Sequence, residues 1–327
     1  MRDFAYVRAG TTGELFELLA GDRHARILAG GVDLVGLCKD GIEQPDVLVD
    51  IGALDLAAIE VTADGLVLGA LCRMSDVAAD PRVRAGWPAV AEALAASASP
   101  QLRNMATLAG NLLQRTRCPH FRADTELPCN QRRPGSGCSA RDADRTMAVL
   151  GGDEHCVATH PSDLAVALTA LDARLRLRSA RGSRELAVAE LFAVSPGATG
   201  EHTTLRPGEL VTAVVVPDVP GAATSTYVKV RERASFEFAL VSAAAAVTVD
   251  GGRITSARVA LGGVAARPWP LTGAADRLAG ACLTEAELRR AIEPDLTGAR
   301  TRSGTARKPE LAVRAAIRAV QRSGGHR

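Results

Sequence analysis

The stretch from Arg115 to Arg145 shows no sustained hydrophobic period, helical or extended, and carries Pro119, Pro128, Pro134, Gly135 and Gly137 among its arginines. A run of that length without secondary structure inside a compact domain is either functional or disordered. The cysteines argue for function. Four of the chain's seven, Cys118, Cys129, Cys138 and Cys156, lie in this stretch or just beyond it, while Cys38, Cys72 and Cys282 stand alone in apolar or helical surroundings. In a reducing compartment, clustered cysteines are metal ligands or redox thiols rather than disulfides. Four thiolates converging on one point are the ligand set of an iron–sulfur cluster or a structural zinc ion. There is no C-x-x-C pair, so the spacing fits a two-pair zinc site poorly, whereas a larger cubane can be reached from four separate turns. Gly135 and Gly137 would let backbone N–H groups approach the sulfurs. Arg115, Arg117, Arg122, Arg132, Arg133, Arg141 and Arg145 would offset thiolate charge. Unrelated cysteines on a solvated basic face are the plain alternative.

The flanks are ordered. TTGELFELLA (11–20) has apolar residues at helical spacing behind Thr11 and Thr12, with Glu14 in the first turn. ARIL begins a strand that breaks at Gly30-Gly31, and DVLVDI (46–51) is another, so the first fifty residues read as a β-α-β-type unit. Asp64-Gly65 signals a hairpin before a strand. Residues 77–99 read as helix broken by Pro81 and Pro88, Thr107 to Asn111 as a turn, and 160–179 as one helix-like run opened by Ser162 and Asp163. After a boundary at VPGAAT (219–224), residues 227–263 read as antiparallel strands joined at Asp250-Gly251-Gly252, with helical material around FEFALVSAAAA. Two amphipathic helices follow, at 283–293 and 309–323.

At 327 residues the chain has about two domains' length. Its 39 basic and 37 acidic residues leave a net charge of +2, too balanced for a nucleic-acid or anionic-membrane binder. Aromatics at 3% supply no base-stacking platform. The most apolar run, FALVSAAAAVTV, falls short of the roughly 20 residues of a membrane span, and MRDFAYVRAG has no apolar signal segment. The expected location is the cytoplasm, or the periplasm by co-export with a partner subunit. No G-x-S-x-G, H-E-x-x-H or G-x-G-x-x-G motif is present, so hydrolytic and Rossmann readings fail. LAGGVDL (28–34) puts Gly-Gly after a strand, where free N–H groups can bind phosphate, although most such pairs are plain turns.

Singly these motifs are weak, but their order is specific. LAGGVDL, QLRNMATLAGN, the cysteine insert, HPSD, GELVTAVVVP, YVKVRER, EFALVSAAAAV and RVALGGVAARPWP follow one another over about residues 4 to 320. In that order they resemble the FAD-binding (medium) subunit of the xanthine dehydrogenase and carbon monoxide dehydrogenase family of molybdenum hydroxylases. LLQRTRCPHFR, PCNQRRPGSGC and HCVATHPSD resemble the flavin subunits of bacterial three-subunit aldehyde oxidoreductases, which carry an extra [4Fe-4S] cluster.

The resemblance implies an α+β fold. A two-subdomain FAD-binding domain of the vanillyl-alcohol-oxidase (PCMH) type would occupy residues 1–218, in parts of about 1–55 and 56–218, with the Fe–S insert at about 115–156. A C-terminal α+β domain of the CO dehydrogenase flavoprotein type would occupy 222–325. It implies that Leu28, Ala29, Gly30, Gly31, Val32, Asp33 and Leu34 cradle the FAD pyrophosphate. The family usually has Thr or Ser at Val32, so one hydroxyl contact is lost. The second phosphate turn falls on Thr107, Ala109, Gly110 and Asn111, and Ala109 replaces a glycine, which loosens contact there. Asp163 would bind the adenosine ribose and Lys229 would lie near the flavin ring; Phe236 and Phe238 fall in the stretch beside it. Cys118, Cys129, Cys138 and Cys156 would hold the cluster, and Arg132 and Arg133 would raise its potential.

The implied function is electron transfer, with no catalytic residue on this chain. A large molybdenum-cofactor subunit would oxidise the substrate, an aldehyde. A small [2Fe-2S] subunit would relay electrons to the FAD here, and an external acceptor would take them. The alternative is a zinc-stabilised assembly or binding protein on a degenerate flavin fold.

Overall fold

The computed structural model describes residues 1–22, 24–141, 145–193 and 201–325. The chain begins with β1 (Ala5–Arg8), α1 (Thr12–Gly21), β2 (Ala25–Leu28), α2 (Leu34–Lys39) and β3 (Val47–Asp50). The three strands form a parallel sheet in the order β1-β3-β2. Thr11 caps α1 by accepting from the Glu14 N–H at 3.2 Å, and Leu15 and Phe16 turn inward to a small core with Val49 and Ile51. In such sheets ligands sit beyond the carboxyl ends of the strands. Here that edge carries Ala29-Gly30-Gly31 and the start of α2.

A five-stranded antiparallel sheet follows. It contains β4 (Ile59–Thr62), β5 (Gly65–Gly69), β6 (Arg174–Ser179), β7 (Gly182–Ala187) and β8 (Leu210–Pro217), in the order β4-β5-β8-β6-β7. Between β5 and β6 run α3 (Met74–Ala79), α4 (Pro81–Gly86), α5 (Pro88–Ala96), α6 (Pro100–Arg103), α7 (Leu108–Leu112) and α8 (Asp163–Ala170). Pro81, Pro88 and Pro100 each sit in the first turn of a helix, where a missing N–H is harmless. The breaks expected at Pro81 and Pro88 are therefore helix starts.

Two expectations fail in this part. Where a turn was expected over 107–111, Leu108–Leu112 form the short helix α7, because Thr107 Oγ1 caps it at the Gly110 N–H, 3.2 Å away. The run 160–179 is not one helix. α8 ends at Ala170, Asp172 adopts φ +53°, and the chain reverses into β6. There the side chains alternate, with Leu175 and Leu177 buried and Arg174 and Arg176 exposed.

The C-terminal part pairs β9 (Thr226–Val230), β10 (Val241–Asp250), β11 (Arg253–Gly262) and β12 (Trp269–Pro270) in an antiparallel sheet, with β10 and β11 joined at Gly251-Gly252. Helices α9 (Thr272–Leu278), α10 (Glu285–Ile292) and α11 (Lys308–Ser323) complete it. The helical material expected around SAAAA is strand. Val241, Ala243, Ala245 and Val247 face the C-terminal core, while Ala244 and Ala246 face the core shared with α5 and α8. A strand buried on both faces need not alternate in polarity, so its alanine run mimics a helix. Among the described residues no helix is long and apolar enough to cross a membrane.

The cysteine insert joins α7 to α8 and packs on α2. Leu37 of α2 shares a small core with Cys118, Phe121, Cys129, Met147 and Val157. Buried Lys308, on α11, donates to the Thr146 and Met147 carbonyls at 2.9 and 2.7 Å and ties the far end of the insert to the C-terminal part.

Candidate flavin cavity and cysteine site

A cavity of about 640 Å³ opens where the end of β2, the starts of α7 and α8, and the 231–238 loop converge. Ala29, Gly30, Gly31, Val32, Asp33 and Leu34 line it. Gly30 is required by close approach: a Cβ there would overlap the Met105 carbonyl oxygen. Gly31 is left-handed, at φ +71°. Among the described residues no acceptor takes the N–H of Gly30, Gly31 or Val32. Leu28 stands apart from the cavity, its carbonyl accepting from the Ile51 N–H within the sheet.

The second expected turn is arranged differently. The N–H groups of Leu108, Ala109, Gly110 and Asn111 donate to Cys72 O, Ala70 O, Thr107 Oγ1 and Thr107 O, all within 3.2 Å. The start of α7 thus has its donors committed and reaches the cavity through Thr107, Gly110 and Asn111. Ala109 does not line the cavity and instead packs on the main core.

Asp163 opens α8 and is buried. Lys229 Nζ stands 2.7 Å from its carboxylate, with side-chain exposures of 4% and 5% for the pair. Ser97 Oγ donates to the same carboxylate at 2.9 Å, and the Tyr227 hydroxyl donates a short bond to its other oxygen. Burial and the adjacent carboxylate push the Tyr227 phenol well above its usual pKa, so it remains a donor. Asp163 lines the cavity; Lys229 lies behind it and reaches it through Asp163. Phe236 and Phe238 are half exposed on the cavity's outer wall, Phe236 with φ +51°.

Sequence reasoning missed the arginines' partners. Arg117 and Arg122 pair with Asp33 at 2.9 and 2.8 Å, and the Arg115 N–H donates to the same carboxylate at 2.8 Å. Arg115 also pairs with Glu43 and lies over the Phe121 ring, while Arg117 lies over Phe238. Among the described residues the Nε atoms of Arg115 and Arg117 are buried with no hydrogen-bond partner, and both residues line the cavity. Burial lowers both guanidinium pKa values, against the pull of the neighbouring Glu43 and Asp33 carboxylates. His202 also lines the cavity, and desolvation lowers its pKa to about 4, so it is neutral at pH 7.

The four cysteines come together. Cys118, Cys129, Cys138 and Cys156 all line one cavity of about 10 Å³, with Asn130 and Gln131. Cys129 and Cys138 form an isolated antiparallel bridge. Burial pushes the Cys118 thiol up to about 11 and raises Cys156 as well. All seven cysteines are free thiols. Among the described residues, no group of three or more His, Cys, Asp or Glu is arranged to hold a metal ion. None of the insert arginines lines this cavity. Arg132 instead donates to the Ala123 carbonyl at 2.9 Å, and Arg133 is exposed.

Residues 2–219 match the FAD binding domain in molybdopterin dehydrogenase, and residues 226–310 match the CO dehydrogenase flavoprotein C-terminal domain. The chain belongs to the FAD-binding medium subunits of the molybdenum hydroxylase family. Its relatives agree. It is 48% identical to the aldehyde oxidoreductase FAD-binding subunit PaoB of Escherichia coli (strain K12), over 84% of this chain and 85% of that one. It is 30% identical to the glyceraldehyde dehydrogenase medium chain of Sulfolobus acidocaldarius, over 82% and 78%. The solved structure of quinoline 2-oxidoreductase from Pseudomonas putida 86 superposes with TM-score 0.77 at 25% identity, covering 99% of this chain and 98% of that one. Reconstituted CO dehydrogenase from Oligotropha carboxidovorans shares the fold at 23% identity and TM-score 0.77, over 100% and 99%. The α+β reading and the two-part flavoprotein assignment hold. As a family member the chain is the FAD subunit of a multi-subunit oxidoreductase. The cavity fits that cofactor: a glycine turn with unused N–H groups and two buried, unpartnered guanidinium Nε atoms suit an anionic dinucleotide.

Proposed function

We propose that the chain is the electron-transfer flavoprotein subunit of a molybdenum-containing aldehyde oxidoreductase. The observation that carries this is the cavity of about 640 Å³ at the edge of the parallel sheet, in a chain 48% identical to an aldehyde oxidoreductase FAD subunit. In this reading a large molybdenum subunit oxidises the aldehyde. A small [2Fe-2S] subunit delivers electrons here, and an external acceptor removes them. Bound FAD would supply the ability to take electrons singly and give them in pairs.

Gly30, Gly31 and Val32 would hold the diphosphate through backbone N–H groups, with Thr107, Gly110 and Asn111 on the facing wall. Asp163 would face the ribose, oriented by Lys229 at 2.7 Å. Cys118, Cys129, Cys138 and Cys156 would hold a [4Fe-4S] cluster; four thiols drawn from separated loops around one cavity support this. The domain limits proposed are 1–218 and 222–325, and the complex acts in the cytoplasm or is exported with a partner. The zinc-stabilised alternative rested on Val32 and Ala109, and Ala109 lies off the cavity.

The test is an absorption spectrum of the anaerobically purified protein, with iron, sulfide and zinc analysis on the same sample. Flavin bands over a broad shoulder with about four irons per chain are expected. Flavin without iron removes the cluster. Zinc without flavin removes the redox reading.

A further inference from the structure

The cysteine cavity contains two buried amides that the flavin reading does not use. Asn130 and Gln131 follow Cys129 directly, inside a turn closed by Arg132 and Arg133 N–H bonds to the Cys129 carbonyl. Both side chains line the cavity with the four thiols. Asn130 uses both ends of its amide. Its Oδ1 accepts from the Gly137 N–H at 2.8 Å, beside Cys138, and its Nδ2 donates to the His155 carbonyl at 2.8 Å, beside Cys156. One side chain therefore sets the spacing of three cysteine-bearing segments.

Gln131 is different. It is 9% exposed, and its Nε2 donates to Cys156 Sγ at 3.1 Å while its Oε1 is buried with no partner among the described residues. A half-satisfied buried amide weakens the fold, because the orphaned oxygen loses its water without replacement. An apolar side chain of the same length would avoid that loss. Among the described residues the side-chain amide's only hydrogen bond goes to a sulfur, and the Ala158 N–H donates to the same sulfur at 3.5 Å. No arginine lines this cavity, so these neutral donors are the groups in contact with Cys156 Sγ.

We propose that Gln131 is a positioning residue for Cys156 that sets the potential of the centre held by the four cysteines, with Asn130 fixing the ligand spacing. This rests on the [4Fe-4S] reading above. Hydrogen bonds to cluster sulfurs favour the more negative, reduced state and raise its potential. Removing the Gln131 donor lowers it.

The experiment uses the assembled complex, purified anaerobically. Iron and sulfide are measured first, and the cluster midpoint potential is then read by EPR-monitored redox titration. Wild-type protein without iron sinks the cluster reading, and this proposal with it. With iron present, Gln131→Met is expected to keep wild-type iron content and shift the midpoint to lower potential. Wild-type iron with an unchanged midpoint overturns the role given to Gln131. If Gln131→Met strips the iron, Gln131→Asn, a shorter neutral amide that adds no charge, decides. Retained iron with a lowered midpoint supports the proposal. Loss of iron there too shows that Gln131 only packs, and overturns it.

Discussion

At the scale of single residues, the Asp163–Lys229 pair has the most at stake. Both side chains are almost fully buried, and Ser97 and Tyr227 complete the carboxylate's hydrogen bonds. Removing one partner of a buried pair leaves an uncompensated charge, a loss of about 3–5 kcal/mol. Lys229→Met is expected to lower unfolding free energy by about that amount in urea titration of flavin-free protein. A change within about 0.5 kcal/mol would mean that Ser97 and Tyr227 alone suffice. Asp163 shows how a motif can be read at two levels. In HPSD it could be seen as a helix-start residue, but its partner lies 66 positions away on β9.

At the scale of elements, the insert acts as a clamp on α2. Asp33 precedes that helix and follows the glycine turn, and it holds Arg117, Arg122 and the Arg115 N–H at once. Leu37, one turn into α2, is covered by Cys118 and Phe121. The turn that would cradle a diphosphate is thus held from outside by the segment carrying the cysteines. Charge-assisted hydrogen bonds contribute about 1.5–3 kcal/mol each. Asp33→Asn keeps an acceptor but loses the charge. It is expected to weaken FAD binding by about tenfold or more, measured by flavin fluorescence on release, and to speed proteolysis within 115–141. Unchanged flavin affinity would show that the turn holds its shape without the clamp.

At the scale of the whole molecule, Glu92 on α5 joins the N-terminal and C-terminal parts. One carboxylate oxygen accepts from Thr226 Oγ1 at 2.8 Å and the Tyr227 N–H at 2.7 Å, and the other pairs with Arg322 at 3.1 Å. Thr226 and Tyr227 are buried, so Glu92→Ala strands donors that water cannot reach. The expected loss is about 1–3 kcal/mol. It should separate one cooperative denaturant transition into two, read by tryptophan fluorescence and far-UV circular dichroism together. Coincident transitions would place the coupling elsewhere, in the α8 and β10 packing.

The order of motifs along the chain was enough to identify the family and the two-part flavoprotein architecture. Local chemistry was legible where its cause is local: Thr11 capping α1, the Asp250-Gly251-Gly252 hairpin, and helix interrupted at Pro81 and Pro88, although those prolines open helices rather than break one. It failed where the cause lies across the fold. SAAAA is strand because cores on both faces bury it, and composition carries no record of which faces are covered. The same holds for the arginines. Spacing put them beside the thiols, yet Arg117 and Arg122 turn to Asp33 and Arg115 to Glu43, roughly seventy to ninety residues earlier in the chain. The sequence lists the charged groups, but their pairing depends on which loops are packed together, because ion-pair energies fall off within a few ångströms once water can screen them.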